Sequence, residues 1–203
     1  MTDETAPEVL QADDPRLGDP GDLALALAQV AAVTSDDAEV VEARDRILAF
    51  GRAHDDALWR SCTDAHLTAS CLVVAPDRRR VAVLHHRKLG RWLQPGGHAD
   101  GQGNLAAAAL REGTEETGID GLAVVVPAVD IDIHRVAPPG EEPHLHLDVR
   151  FVLLAPAGAE LVGNHESTAL RWIEPDALDD IDADRGLRRL VTAGSAVVAR
   201  LAG

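Results

Sequence analysis

The sequence predicts an α/β protein: a mixed sheet sandwiched between helices, an α/β/α arrangement, preceded by an N-terminal helical extension. Three observations carry this. Strand-like runs begin near His66 and recur as far as Ile173, with helical segments between and after them. The stretch before residue 62 shows helical rather than strand periodicity. The chain has 203 residues, 46% hydrophobic and 26% charged, which suffices for a buried core of ordinary globular kind.

Taken in order, residues 1–21 mix acids with Pro7, Pro15, Pro20, Gly18 and Gly21 and carry no hydrophobic period, so they read as a mobile acidic tail. Residues 22–61 read as the helical extension. Asp22 is placed to cap a helix over Leu23 to Val33, and Ser35 or Asp36 a second one to about Arg60, with Val40, Val41, Ile47, Leu48 and Phe50 on its apolar face. Residues 62–203 form the sandwich. Its expected strands are Leu67 to Val74, Val81 to His86, Leu122 to Val126, Val129 to Val136, Leu145 to Leu154 and Ala169 to Ile173. Pro76-Asp77-Arg78 and Pro138-Pro139-Gly140 supply turns, and a helix near Gly186 to Leu201 closes the chain.

Composition excludes several functions. With 19 basic and 34 acidic side chains the formal net charge is -15, the wrong sign for non-specific binding of nucleic acid or anionic membrane. Five aromatic residues, none of them tyrosine, leave little with which to stack single-stranded bases. No apolar stretch has the length of a membrane span, and no basic leader precedes one. Cys62 and Cys71 are too few for a disulfide framework, so a cytoplasmic location is expected.

The chemistry concentrates between Gly96 and Ile119. A glycine-rich loop, Gly96-Gly97-His98-Ala99-Asp100-Gly101-Gln102-Gly103, leads to Asn104 as N-cap, and Gly118 ends the helix that follows. Glu112, Glu115 and Glu116 therefore share one helix at i, i+3 and i+4 spacing, with Cβ atoms roughly 5–6 Å apart. Three acids near a helix C-terminus repel one another and oppose the macrodipole. A hard divalent cation reverses that balance, because Mg²⁺ and Mn²⁺ take carboxylate and carbonyl oxygens.

This segment resembles the Nudix box: Gly, five residues, Glu, seven residues, Arg-Glu, a bulky aliphatic, any residue, Glu-Glu, any residue, Gly and an aliphatic. The match falls at Gly97, Arg111, Glu112, Glu115, Glu116, Gly118 and Ile119; Gly103 stands in place of the first Glu and Gly113 in place of the bulky aliphatic. The resemblance implies a Nudix-like sandwich and Mg²⁺- or Mn²⁺-dependent hydrolysis of a diphosphate linkage in a small nucleotide-type substrate. It also implies Glu112 and Glu116 as the principal metal ligands, with Glu115 nearby and the Gly96 carbonyl completing the set. Arg111 would orient the carboxylates. Asp100 or Gln102 is the candidate to replace the box Glu in tying loop to helix. The rival reading is a catalytically silent Nudix module that binds a nucleotide and regulates or scaffolds. A prenyl diphosphate isomerase fits less well, since its cysteine-bearing motif is not apparent.

Two features outside the box bear on substrate. Arg87, Lys88 and Arg91, with His85 and His86, form a basic cluster able to receive an anionic substrate. Asp130, Asp132 and His134 alternate with aliphatic residues, as do His144, His146, Asp148 and Arg150. Paired in a hairpin, these rows form either a solvated sheet face or a wall opposite the box helix, with His144, His146 and Asp148 binding phosphates or a further metal. The N-terminal helices read either as packing elements or as the seam of a homodimer, so a second copy of the chain is a candidate partner.

Overall fold

The computed structural model describes residues 6–137, 140 and 142–201. Pro138 and Pro139 of the expected turn lie outside the described residues. The elements, in chain order, are β1 (Glu8–Leu10), α1 (Pro15–Gly18), α2 (Leu23–Ala31), α3 (Ala38–Ala53), β2 (Ala65–Val74), β3 (Val81–His86), β4 (Arg91–Leu93), β5 (Gly96–His98), α4 (Leu105–Thr117), β6 (Ala123–Val136), β7 (His144–Leu154), β8 (Ser167–Ile173), a 3₁₀ turn at Pro175–Leu178, and α5 (Arg185–Leu201).

The sheet runs β1-β6-β7-β2-β3-β4, with β5 alongside β2 and β8 alongside β3. Strands β2 and β7 pair in parallel over ten residues, from Ala65 opposite Leu145 to Val74 opposite Leu154; the other pairings are antiparallel, so the sheet is mixed. Strand β2 meets β3 only at Val74 and Val81. Beyond that point the sheet forks, and β5 lies against Thr68, Ala69 and Ser70. The fork is what places the glycine-rich loop between the two halves of the sheet.

Helices cover both faces. Leu67, Ile131, Phe151 and Leu153 face α2, α3 and α4, meeting Val30, Ile47 and Leu105. Leu72, Val83, Val125 and Val152 face α5, meeting Leu187 and Leu190. Each such fully buried side chain stabilises the fold by about 1.5–3 kcal/mol relative to exposure. The apolar faces of α2 and α3 are spent on the chain's own sheet: Ala26, Val30 and Ile47 are all fully buried.

Several expected boundaries move. The acidic tail is not structureless over residues 8–18. Val9 and Leu10 supply apolar side chains to opposite sheet faces, and the backbone of Glu8–Leu10 satisfies the edge of β6 opposite Val124, Val125 and Val126. Helix α3 stops at Ala53 rather than near Arg60, because His54 leaves helical geometry and Asp55 and Asp56 would oppose the dipole at its end. The two strands expected at 122–126 and 129–136 are one strand, β6. Pro127, which has no N–H to give, sits in the irregularity between Val125 and Asp130.

Candidate active site

Helix α4 forms where its sequence directs. Asn104 caps it by accepting from the Ala107 N–H at 3.3 Å, an alanine run fills its buried first turns, and Gly118 ends it in left-handed geometry (φ 65°). Its three acids differ. The side chain of Glu115 is 59% exposed, that of Glu112 only 14%, and Glu116 is buried. Glu112 and Glu116 turn towards β5, where the glycines make room for them. A Cβ on Gly97 would stand 2.5 Å from the Glu112 carboxyl carbon. The Gly96 N–H donates to Glu116 Oε2 at 2.7 Å.

Arg111 joins helix to strand. Its Nη1 donates to Glu112 Oε1 and its Nη2 to the His98 carbonyl at 3.2 Å. Glu116 is held by a backbone N–H rather than by a basic side chain, and burial together with the charges of Glu112 and Glu166 pushes its carboxyl up to about 7. Burial also raises Glu112, against the pull of Arg111. Two carboxylates are thus held close enough to raise one another, Glu112 with the single counter-charge of Arg111 and Glu116 with only a backbone N–H, lined by backbone that a side chain would displace. The donors are hard oxygens, so this pair fits Mg²⁺ or Mn²⁺.

The loop from Ala99 to Gly103 is clasped from two sides by the N-terminal extension. On one side the Gly101 N–H donates to the Leu58 carbonyl at 3.0 Å, Trp59 lies over Gly101, and Arg60 forms a paired salt bridge with Asp100. On the other, the Asn104 N–H donates to the Pro20 carbonyl at 2.8 Å and its side-chain amide to the carbonyls of Arg16 and Asp19. Gln29 bridges to the Asn104 side chain and to the Leu105 N–H. Asp100 is therefore tied to Arg60, and the loop is anchored to the extension. At Gly113, a Cβ would stand 2.4 Å from Leu153 and 3.0 Å from the Cys71 sulfur. A bulky residue there would lift α4 off the sheet.

A family model described as NUDIX domain matches residues 64–193. The chain belongs to the NUDIX domain family. Similar solved structures include a NUDIX hydrolase from Alicyclobacillus acidocaldarius (TM-score 0.50, 16% identity, 66% of this chain and 92% of that one). A NUDIX family hydrolase from Clostridium perfringens gives a TM-score of 0.49 at 20% identity, covering 67% and 97%. The dihydroneopterin triphosphate pyrophosphohydrolase of E. coli gives 0.49 at 20%, covering 62% and 91%. At these identities the likeness is one of fold. A search of curated proteins finds no match.

Within the NUDIX domain the remaining candidates scatter. Arg87 lies on the β3–β4 turn, donating to the carbonyls of His165 and Ser167, while its own N–H donates to the Glu166 carbonyl. Lys88 is exposed on the same turn, and Arg91 pairs with Asp184 at 2.7 Å. The His and Asp rows do not face the box helix. Leu147, Val149 and Phe151 take that face, so strict alternation sends His144, His146, Asp148 and Arg150 to the other one. Nor is that face solvated. Asp148 is 3% exposed and accepts from Thr68, Ser70 and Arg150, while Arg150, also 3% exposed, reaches Asp130 and Asp132 as well. Arg189 of α5 joins Asp130 and Asp132. Asp148 is therefore the counter-ion of a buried network, three of its acceptor sites taken and its side chain closed off from solvent.

Sequence reasoning missed Glu166. It lies in the irregular segment before β8, and its charge acts on both Glu112 and Glu116. Asn164 ties that segment to α4 by donating to the Glu115 carbonyl. No spacing rule marks an acid fifty residues away; only the β3–β8 pairing brings it near.

Proposed function

We propose that this protein hydrolyses a diphosphate linkage in a small nucleotide-type substrate, a nucleoside diphosphate bearing a further group, with Mg²⁺ or Mn²⁺. The observation that carries the reading is the inward-turned pair Glu112 and Glu116, held under Gly96 and Gly97 with one arginine, Arg111, between the two negative charges and none on Glu116. Glu112, Glu116 and Glu115 would hold the cation, joined by the Gly96 carbonyl. When bound, the cation supplies polarisation of a phosphate oxygen and a lowered pKa for an attacking water.

The chain's own residues account for the rest. A carboxylate of the glutamate set takes a proton from the water as its oxygen bonds to phosphorus and the bridging P–O bond breaks. Arg111 is a positioning residue: it fixes Glu112 and ties it to the strand carrying His98. The Gly96 N–H does the same for Glu116. Arg87, Lys88 and Arg91 give an otherwise acidic protein a local positive turn, joined through Arg87 to Glu166, that suits an anionic substrate. We place the protein in the cytoplasm, in keeping with two free buried thiols and with no described helix long and apolar enough to cross a membrane.

A panel of nucleoside triphosphates, nucleotide sugars and smaller diphosphates, incubated with protein and Mg²⁺ and resolved by chromatography, tests the reading. Cleavage products from at least one member are expected. Saturable nucleotide binding without any product would replace the enzyme with a binding module.

A further inference from the structure

Five histidines, none of them among the acids of the box, gather on the sheet face opposite α4. His66 on β2, His98 on β5 and His146 on β7 are brought together by register: His66 lies opposite His146, and Thr68 opposite His98. Their ring centres form a nearly equilateral triangle, with 5.0 Å between His66 and His98, 5.2 Å between His66 and His146, and 4.9 Å between His98 and His146. One ring nitrogen from each lies within 4.8 Å of the other two. His144 stands 4.7 Å from His66 and 5.3 Å from His146, but it is not among the three whose ring nitrogens converge; His134 stands at the margin, 5.4 Å from His146.

Much of the cluster is buried, and three of its ring nitrogens are unsatisfied. His66 is 2% exposed, and the Nε2 atoms of His66, His144 and His146 are buried without a hydrogen-bond partner. Each such orphan costs about 1–3 kcal/mol, and two of the three, those of His66 and His146, lie in the triangle with His98, where one occupant could satisfy both. Of the three, the ring of His66 is also held in the tautomer a metal needs, and so is that of the neighbouring His144. His66 Nδ1 donates to the Cys62 carbonyl at 3.2 Å, and His144 Nδ1 to the Glu142 carbonyl at 2.8 Å, so Nε2 is left with its lone pair. Backbone carbonyls in this role are the usual outer partners of metal-bound histidine.

We propose that His66, His98 and His146 form a three-histidine site for a borderline divalent cation, Zn²⁺ above all, with a fourth coordination position open. Tetrahedral bonds of about 2.0–2.1 Å set ligand nitrogens about 3.4 Å apart and ring centres about 5 Å apart. The observed triangle meets the second spacing already, and small ring rotations meet the first. Imidazole nitrogen selects Zn²⁺, Cu²⁺ or Ni²⁺ and is a poor donor for Mg²⁺, so the site is chemically distinct from the carboxylates of α4. It is also joined to them: His98 lies on β5, whose Gly96 N–H holds Glu116 and whose His98 carbonyl holds Arg111. Loading the histidines would therefore stiffen the strand on which the box helix hangs its acids.

The test uses the full chain stripped with a chelator, titrated with Co²⁺ in the presence of saturating Mg²⁺, and read by visible absorption and equilibrium dialysis. About one Co²⁺ per chain is expected, with the intense visible bands of a four-coordinate ion, displaced by Zn²⁺ and indifferent to Mg²⁺. His146→Ala and the partly exposed His98→Gln should each weaken binding more than about 100-fold, while a Glu112→Gln/Glu116→Gln double variant keeps it. Circular dichroism separates loss of a ligand from loss of fold, and His98→Gln serves if His146→Ala does not fold. Absence of stoichiometric Co²⁺ in the wild type, or binding unmoved by both histidine changes, or binding lost with the glutamates, would overturn the site.

Discussion

The backbone of Asp22 fills the space into which a side chain at Gly103 would project: a Cβ there would stand 1.9 Å from the Asp22 carbonyl oxygen and 2.6 Å from its nitrogen. The residue that departs from the Nudix box is thus the residue on which the N-terminal extension rests. Gly103→Glu, although it restores the family pattern, should destabilise the protein by about 2 kcal/mol or more, since backbone must move to admit it. A thermal melt should fall by roughly 4–8 °C. An unchanged melt would mean that Asp22 does not sit there in solution.

Asn104 gathers more of that clasp than any neighbouring residue, capping α4 while donating to two carbonyls of the tail. Asn104→Ala should cost about 1–2 kcal/mol, at the upper end for a helix cap because two tail carbonyls lose their donor too. Denaturant unfolding measures this directly. A loss much smaller than a cap alone would show that the tail is not docked.

Glu116 ties stability to pH. Its folded pKa lies at about 7, above the ordinary value of 4.5, so the folded protein holds a proton that the unfolded chain releases between those values. Its contribution to stability is present below pH 4.5 and lost as pH rises to about 7, a loss on the order of 3 kcal/mol. In the metal-free protein, Glu116→Gln should therefore be the more stable of the two at pH 7.5 and no more stable at pH 4.5. Unfolding curves at both pH values, without and then with Mg²⁺, check the sign; Mg²⁺ should stabilise the wild type and not the variant.

Arg150 pairs with three aspartates, two of them nearly dry, Asp130 being 1% exposed and Asp148 3%. Arg150→Met keeps the volume and strands the acids. A loss of about 3–5 kcal/mol is expected in urea unfolding, the usual cost of breaking one side of a buried ion pair. A near-neutral outcome would show that Arg189 alone suffices.

Much of this was legible in the sequence because it is local. Asn104, the alanine run and Gly118 mark α4 at both ends, and the spacing of Glu112, Glu115 and Glu116 follows from helical period alone. What sequence could not show depends on register between distant strands. Strands β4 and β5 are three residues each, too short for any period, and β1 exists only because β6 offers it an edge. The glutamates looked equivalent by spacing, yet the fold turns Glu115 outward and buries Glu116. The histidine rows were visible as alternation, but the direction they face was set by which side Leu147 and Phe151 bury. His66 and His98 meet only through the pairing of β2 with β5 and β7, and Glu166 arrives from a loop with no pattern of its own.

If Glu112 and Glu116 together make a metal-dependent hydrolytic site, catalysis must depend on both the cation and the buried carboxylate. Turnover of the best substrate from the panel, measured with and without Mg²⁺ for wild type, Glu116→Gln and Glu115→Gln, tests it most directly. Activity is expected only with Mg²⁺ or Mn²⁺, with a fall of more than about 100-fold in Glu116→Gln and a smaller fall in Glu115→Gln. Turnover that survives Glu116→Gln undiminished, or that proceeds equally well in chelator, would contradict it.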